Sequence, residues 1–220
     1  GRAPQRGATV QRERVSVNLA EEANMERTDE LVSMGMPFAQ GVIFDPALVR
    51  VLDDQGNEVP AQVTITSFWP DDSIRWALVE FLANLGAREQ CDYAVEYGSA
   101  VSRRLVPDPV LIDDTADALI VTTGPLRATV SKTRGTILDQ AVVDGERIGG
   151  LPRGIVVVGE TGTVYTTANA TPQVRIEKQG PLTATIRLEM PYVSDAGDQY
   201  LRAIVRLTFV AGSPTIFMAA

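Results

Sequence analysis

From Arg14 onward, hydrophobic and polar residues alternate one by one along most of the chain. The clearest example is 199–209, where every second position from Leu201 to Phe209 is hydrophobic. A period of two places alternate side chains on opposite faces, as in an antiparallel strand with one face on a core and one in water. Turn residues at 54–57 and 70–73 separate such segments. The sequence therefore predicts an all-β protein built of hairpins of short strands.

A stiff segment divides the chain at Pro107–Pro109, because each proline fixes φ and disfavours helix in the residue before it. We therefore predict a domain boundary there. The segment 1–13 is polar and without periodicity, which predicts a flexible tail. One β domain is expected over 14–106 and a second over 107–220.

Two segments depart from the alternation. Ala20–Thr28 is the one candidate for a short helix, and it could equally form a loop. Thr215–Ala220 resembles an apolar strand that stops early, so we expect the second domain to be truncated at its C-terminal end.

The composition excludes several kinds of chemistry. The chain of 220 residues has no histidine and a single cysteine, Cys91. Conventional zinc sites need several His or Cys ligands, and Ser-His-Asp or Cys-His catalysis needs an imidazole. We therefore assign no catalytic residue, metal or cofactor to this chain, and expect Cys91 to be a small hydrophobic residue within a strand.

The charge and the hydropathy limit the partners. A net charge of −8 argues against nucleic acid, whose phosphates an acidic protein repels. No apolar run approaches the ~20 residues of a membrane helix, so no membrane partner is expected. Of the 20 basic residues, 18 are arginine, so a local arginine cluster could still bind an acidic partner.

Several stretches resemble the motifs of one family. Met34–Asp45 (MGMPFAQGVIFD) is similar to a Gly-x-Pro-Phe…Gly element near the start of exo-rhamnogalacturonan lyase-like proteins. Leu52–Phe81 resembles the next element of that family, with an acidic turn, a Val-Pro-Ala-Gln strand, a Trp-Pro-Asp turn and a Ser-Ile-x-Trp-Ala strand in this order. Further similarity, to the opening of the family's second domain, lies in Val121–Lys132, Leu138–Gly145 and Ala211–Ile216.

This resemblance implies a modular enzyme in which a small RIFT-type β-barrel is followed by a β-sandwich and then by a catalytic α/α toroid. The fold expected here is all-β, with a RIFT-like antiparallel barrel over 14–106 and a partial β-sandwich over 107–220. No series of helical hairpins is present, so the toroid is not expected within this chain. One departure is Asp72, where the family often has a glycine that would permit a positive φ, so the turn type stays open.

The candidate carbohydrate-binding residues are Trp69, Arg127 and Tyr165. An aromatic ring can pack on the C–H face of a sugar, although tryptophan is more often buried, and we expect burial for Trp76. An arginine can neutralise a uronate carboxylate, and a tyrosine can remove a proton.

The spacing does not single out Arg127 and Tyr165. Lys132, Arg134 and Tyr200 are of the same chemical types, and exposed strand faces commonly carry such residues. The acidic pair Asp71-Asp72 could contribute to a calcium site, but turn formation is the simpler interpretation.

Three hypotheses follow. The first is a non-catalytic all-β portion of a carbohydrate-processing protein, extracellular or periplasmic, that supports a C-terminal catalytic domain and binds an acidic polysaccharide. The second is a structural β-rich subunit of a surface layer, fibre or virion, with neighbouring subunits as partners. The third is that the chain alone is a small lyase.

Overall fold

The computed structural model describes residues 8–150 and 154–220. These residues fall into two compact units, one ending at Pro107 and the other beginning at Asp108. The first seven residues of the predicted tail lie outside the described residues. In both units the regular structure is almost entirely antiparallel strand, which confirms the all-β prediction.

The first unit contains two antiparallel sheets. Its strands are β1 (Glu13–Ala20), β2 (Arg27–Pro37), β3 (Val49–Leu52), β4 (Glu58–Val59), β5 (Ala61–Phe68), β6 (Ile74–Leu85) and β7 (Gln90–Tyr97). A 3-10 turn at Pro46–Leu48 leads directly into β3. One sheet has the order β1-β7-β3-β4 and the other the order β2-β6-β5.

The alternation of the sequence supplies the core between these sheets. On β6, Val79 and Phe81 are fully buried, and on β7 so is Val95. Burial of a phenylalanine side chain contributes roughly 1.5–3 kcal/mol relative to leaving it in water. The cluster draws on both sheets, so it holds the barrel closed.

The described part of the predicted tail is attached to the barrel. Ala8 forms a β-bridge with Ile43, and the amide of Ser99 donates to the carbonyl of Val10. Glu13 already belongs to β1. Residues 8–13 therefore differ from the expectation of a flexible tail, because their backbone groups find partners in the barrel.

The second unit also contains two antiparallel sheets. Its strands are β8 (Leu111–Asp114), β9 (Ala118–Thr122), β10 (Leu126–Ser131), β11 (Gln140–Val143), β12 (Glu146–Gly149), β13 (Val156–Val158), β14 (Val164–Thr166), β15 (Gln173–Gln179), β16 (Thr183–Ser194), β17 (Gln199–Val210) and β18 (Ile216–Ala219). A 3-10 turn spans Thr167–Asn169.

The order of the first sheet is β12-β11-β10-β9-β8. In the second sheet the order is β13-β14-β16-β17-β18, with β15 also paired to β16. Each sheet has one buried face, carrying for example Val121 and Val130 in the first, and Leu188 and Val205 in the second. Two sheets with apolar inner faces in one compact unit form a β-sandwich.

Candidate functional site

The turn between β5 and β6 is held by its own side chains. The amide of Trp69 donates to the carbonyl of Ser73 at 2.8 Å, and the amide of Asp72 donates to the carbonyl of Trp69 at 3.0 Å. Asp71 accepts from the amide of Ser73 and, at 2.6 Å, from its hydroxyl. The hydrogen bond from the Ser73 hydroxyl is the main cause that lowers the pKa of Asp71. The prediction that Asp71 serves the turn is therefore confirmed.

Asp72 occupies the turn position at which the family that the sequence resembles often has a glycine. Its φ is +65°, in the left-handed region that a glycine adopts without strain. Aspartate is among the few other residues that enter this region at moderate cost. The same backbone conformation is therefore available to this sequence.

Trp69 is half-buried at the start of this turn. Its indole Nε1 donates to the carbonyl of Phe38 at 3.0 Å, which fixes the ring against the end of β2. The guanidinium of Arg75 lies 4.8 Å from the centre of the ring, a cation–π distance. One face of Trp69 is therefore occupied, and much of this side chain has a structural role.

Trp76 is more exposed than the sequence indicates. The prediction that it belongs to the core was wrong, because 43% of its surface is accessible. It lies in β6 between Pro37 and Ser67 on the flanking strands, and a Cβ added to Gly35 would lie 3.7 Å from its six-membered ring. The indole of Trp76 therefore lies beside Gly35, within ordinary van der Waals distance of where a Cβ would stand.

Phe68, at the end of β5, is 56% exposed. The register of β5 against β6 shifts at Ser67 and Phe68. Its partner Ile74 is nevertheless fully buried. Phe68 has the same parity along β5 as the exposed Thr66, so its exposure follows the alternation of that strand. We refer to Phe68, Trp69 and Trp76 as the hairpin aromatic surface.

The other two candidate carbohydrate-binding residues belong to the second unit and lie on different sheets. Arg127 is exposed near the start of β10, in the five-stranded sheet. Tyr165 is half-buried in β14, in the six-stranded sheet, with its ring 5.3 Å from that of Tyr200. The structure thus brings Tyr165 together with Tyr200, but it does not place Arg127 on the same sheet as either.

Two further basic candidates are engaged in ion pairs. The ammonium of Lys132 contacts the carboxylate of Asp114, and Arg134 pairs with Asp139 at 2.5 Å. Each of these cations is compensated locally. They are therefore weak candidates for the neutralisation of a substrate.

A larger group of arginines lies on the outer face of the six-stranded sheet. We refer to Arg175, Arg187, Arg202 and Arg206 as the arginine face. Arg206 binds Glu177 with two hydrogen bonds, of 2.6 and 3.0 Å. The other three all approach the single carboxylate of Glu189. Hydrogen bonds from Arg206 and Arg175 lower the pKa values of Glu177 and Glu189, respectively.

In the first unit a buried carboxylate is surrounded by arginines. Glu96 on β7 is fully buried and receives hydrogen bonds from Arg14 at 2.7 Å and from Arg50 at 2.8 Å. Burial alone would raise the pKa of Glu96, but these two partners outweigh it, and the pKa is lowered. All three residues lie on paired strands, so the cluster ties β1, β7 and β3 together.

A cleft of about 420 Å³ lies at the end of β1, beside Glu21 and Arg27. The carboxylate of Glu21 accepts hydrogen bonds from the backbone amides of Ala23, Met25 and Arg88. Burial acts to raise its pKa, but these hydrogen bonds prevail and lower it. The carboxylate is therefore committed to holding its own loop.

Within residues 8–150 and 154–220, no three Cys, Asp or Glu side chains converge as ligands of a metal ion. Over the same ranges, no helical segment has the length and hydrophobicity of a membrane span.

Comparison with known proteins agrees with the architecture. Residues 13–95 match the model of the PcRGLX-like N-terminal RIFT barrel domain. No curated protein matches the chain significantly. Among solved structures, an alpha-mannosidase from Enterococcus faecalis V583 has a TM-score of 0.57 at 13% identity, over 93% of this chain and 29% of that one. A glycosyl hydrolase family 38 protein from Enterococcus faecalis has a TM-score of 0.49 at 12% identity, over 92% of this chain and 30% of that one.

The likeness to the mannosidase shows a shared fold, and the present chain spans less than a third of that protein's length. The family match is more direct, because it falls on β1 to β7, where the Trp-Pro-Asp and Ser-Ile-x-Trp-Ala motifs lie. Residues 13–95 are therefore similar to a PcRGLX-like N-terminal RIFT barrel domain, which agrees with the family resemblance of the sequence.

Proposed function

We propose that this chain is the non-catalytic all-β portion of its carbohydrate-processing protein. In this proposal it supports a C-terminal catalytic domain and holds a polysaccharide for it outside the cell or in the periplasm. The family match supports the connection with carbohydrates. The chain has no histidine, and the basic candidates Lys132 and Arg134 are engaged in ion pairs, which supports a non-catalytic role.

The observation that carries the proposal is the hairpin aromatic surface. Phe68 and Trp76 expose large apolar areas at the same end of the hairpin β5–β6. Exposed aromatic side chains are common in binding sites, because a rigid ring provides contact area at a low cost in conformational entropy. The flat face of an indole suits the C–H face of a sugar ring. Trp69 stabilises the turn beside them, through Phe38 and Arg75.

Isothermal titration with a panel of neutral, pectin-derived and ulvan-type oligosaccharides tests this proposal. We expect at least one member to bind, and Trp76→Ala to weaken that binding about tenfold or more, since the loss of a buried aromatic contact removes roughly 1.5–3 kcal/mol. Leu105→Ala is the matched control, because Leu105 is 95% exposed in the same unit but lies outside the hairpin. Absence of binding to the whole panel, or equal binding by both variants, would refute the proposal.

A second function, as a structural subunit, is favoured by the edges of the six-stranded sheet. Val156 and Val158 on β13 and Phe217 and Met218 on β18 are exposed, and both strands end the order of their sheet. Exposed apolar edge strands tend to pair with another chain. Size-exclusion chromatography with light scattering separates the two functions, since a stable monomer at high concentration contradicts assembly.

A further inference from the structure

The second unit has a positively charged outer face although the chain is acidic. Together β15, β16 and β17 contain five basic and two acidic residues, whereas the whole chain has a net charge of −8. Four of the basic residues form the arginine face. The charge of this sheet therefore has the opposite sign to that of the protein.

Three of these arginines stand in one row. Arg175 pairs in register with Arg187, and Arg187 with Arg206, on strands that lie ~4.8 Å apart. Like charges directly opposite one another across a sheet are destabilising. Glu177 and Glu189 compensate this repulsion only in part, because three arginines share the carboxylate of Glu189.

Arg187 is also incompletely satisfied. Its Nη1 lies 2.9 Å from Glu189, but its Nε is buried and has no hydrogen-bond partner among the described residues. A buried donor without a partner costs roughly 1–3 kcal/mol. The positive charge at the centre of the row is therefore not fully satisfied by its own carboxylates.

The arginine face extends along β17 beyond this row. Arg202 and Arg206 are exposed four positions apart, with buried Ala203 and Val205 between them, so the two arginines share the outer face. The Nη1 of Arg202 lies 3.6 Å from Glu189. A surface with four guanidinium groups matches a ligand that carries several oxyanions.

We propose that the arginine face binds an oxyanion group, carboxylate or sulfate, of a sugar polymer. Guanidinium groups present a planar fork that matches either oxyanion. The assignment of the anion to a sugar polymer rests on the proposed function. The anion site itself rests only on the charge and geometry of this sheet.

Three polymers with the same backbone provide the test: dextran sulfate, carboxymethyl dextran and neutral dextran, titrated into the whole chain. We expect the charged polymers to bind and neutral dextran not to bind at this face. Binding of only one charged polymer identifies sulfate or carboxylate as the natural group. Because the contact is ionic and exposed, affinity should fall as salt is raised. Failure of both charged polymers to bind would overturn the proposal. Poly-glutamate that binds as tightly as the charged dextrans would overturn the assignment of the anion to a sugar polymer.

Charge-neutralising variants locate the site. Arg202→Gln and Arg175→Gln should each weaken binding about tenfold, since a charge-assisted hydrogen bond is lost. Glu177→Gln should strengthen binding, because it frees Arg206, whereas a purely structural ion-pair network gives no gain. Arg147→Gln is the control, as Arg147 is exposed on β12 of the other sheet. If Arg202→Gln binds like Arg147→Gln, the inference is wrong.

The two proposals can fail separately. Trp76→Ala tests the hairpin aromatic surface of the first unit and should leave the binding of dextran sulfate unchanged. Suppose that Arg202→Gln loses anion binding while Trp76→Ala binds every oligosaccharide as the wild type does. The arginine face is then supported as an anion site, and the proposed role of the hairpin aromatic surface is refuted.

Discussion

At the residue scale, two residues occupy positions where the backbone conformation or the burial would favour a different residue type. Asp72 adopts a φ of +65°, which glycine adopts without strain. Glu96 is a carboxylate with no exposed surface. In both cases neighbouring groups make the arrangement possible, and each gives a measurable consequence.

The stability of Asp72 variants should depend on how readily the new residue adopts the left-handed conformation. Asp72→Val should lower the free energy of unfolding by about 1–2 kcal/mol, because a β-branched side chain clashes there. Asp72→Gly should be neutral or slightly stabilising. Urea denaturation measures both variants. Equal stability of the valine and glycine variants would show that the turn does not require a positive φ.

Glu96 should make the stability of the first unit depend on pH. Its folded-state pKa lies below the ordinary value of 4.5, so its contribution is fully present above pH 4.5 and is lost as the pH falls through the lowered pKa. Glu96→Gln should therefore cost about 1.5–3 kcal/mol at pH 7, and the difference from the wild type should shrink in acid.

Denaturation at a series of pH values measures this effect. Glu26→Gln serves as the control, because Glu26 is exposed in a loop and should change stability by less than ~0.5 kcal/mol. A loss from Glu96→Gln that stays constant down to pH 2 would contradict the electrostatic explanation.

At the scale of elements, strand positions follow from the alternation, but the buried face of an apolar strand does not. The predicted strand Gln199–Phe209 agrees with β17. Phe68 has the parity of the exposed Thr66, so its exposure follows the pattern of β5. The exposure of Trp76 was missed, because β6 carries apolar residues on both faces and periodicity does not say which face packs on the core.

The segment Ala20–Thr28 shows a second limit of prediction from the sequence. Its ends, Ala20 and Arg27–Thr28, belong to β1 and β2, and residues 21–26 form a loop with Asn24 at a φ of +60°. The carboxylate of Glu21 accepts hydrogen bonds from the amides of Ala23 and Met25 and also from that of Arg88, which lies far away in sequence. This long-range contact helps to hold the loop, and local sequence does not reveal it.

The attachment of residues 8–12 should depend on Gly98. A Cβ at this position would lie 2.4 Å from the carbonyl oxygen of Gln11, so the backbone would have to move. Gly98→Ala should destabilise the first unit by roughly 1–3 kcal/mol and speed hydrogen exchange at Ser99 and Ala100, whose amides bond to this segment.

Gly56→Ala is the matched control for the backbone strain. Gly56 also has a positive φ, of +79°, but open space surrounds its added Cβ. It should lower stability without changing exchange at Ser99. If both variants expose Ser99 equally, a general loss of stability rather than the clash with Gln11 explains the effect.

At the scale of the molecule, charge is distributed unevenly. The chain is acidic overall, and four of its 18 arginines gather on the outer face of β15–β17, where the strand register places three of them side by side. Composition predicted the excess of arginine but not its location, because pairing between strands determines which residues meet. Arg127 and Tyr165 illustrate this point, since their residue types suit sugar binding and yet they lie on separate sheets.

The proposed function requires that a carbohydrate bind to the hairpin aromatic surface. The chain has two tryptophans, so an amide correlation spectrum should contain two indole signals that single substitutions can assign. During titration with the oligosaccharide that binds most tightly, we predict a large shift of the Trp76 indole signal and a smaller one for Trp69, whose Nε1 is held by Phe38. Saturable binding with no shift of the Trp76 signal would show that the carbohydrate does not bind at this surface.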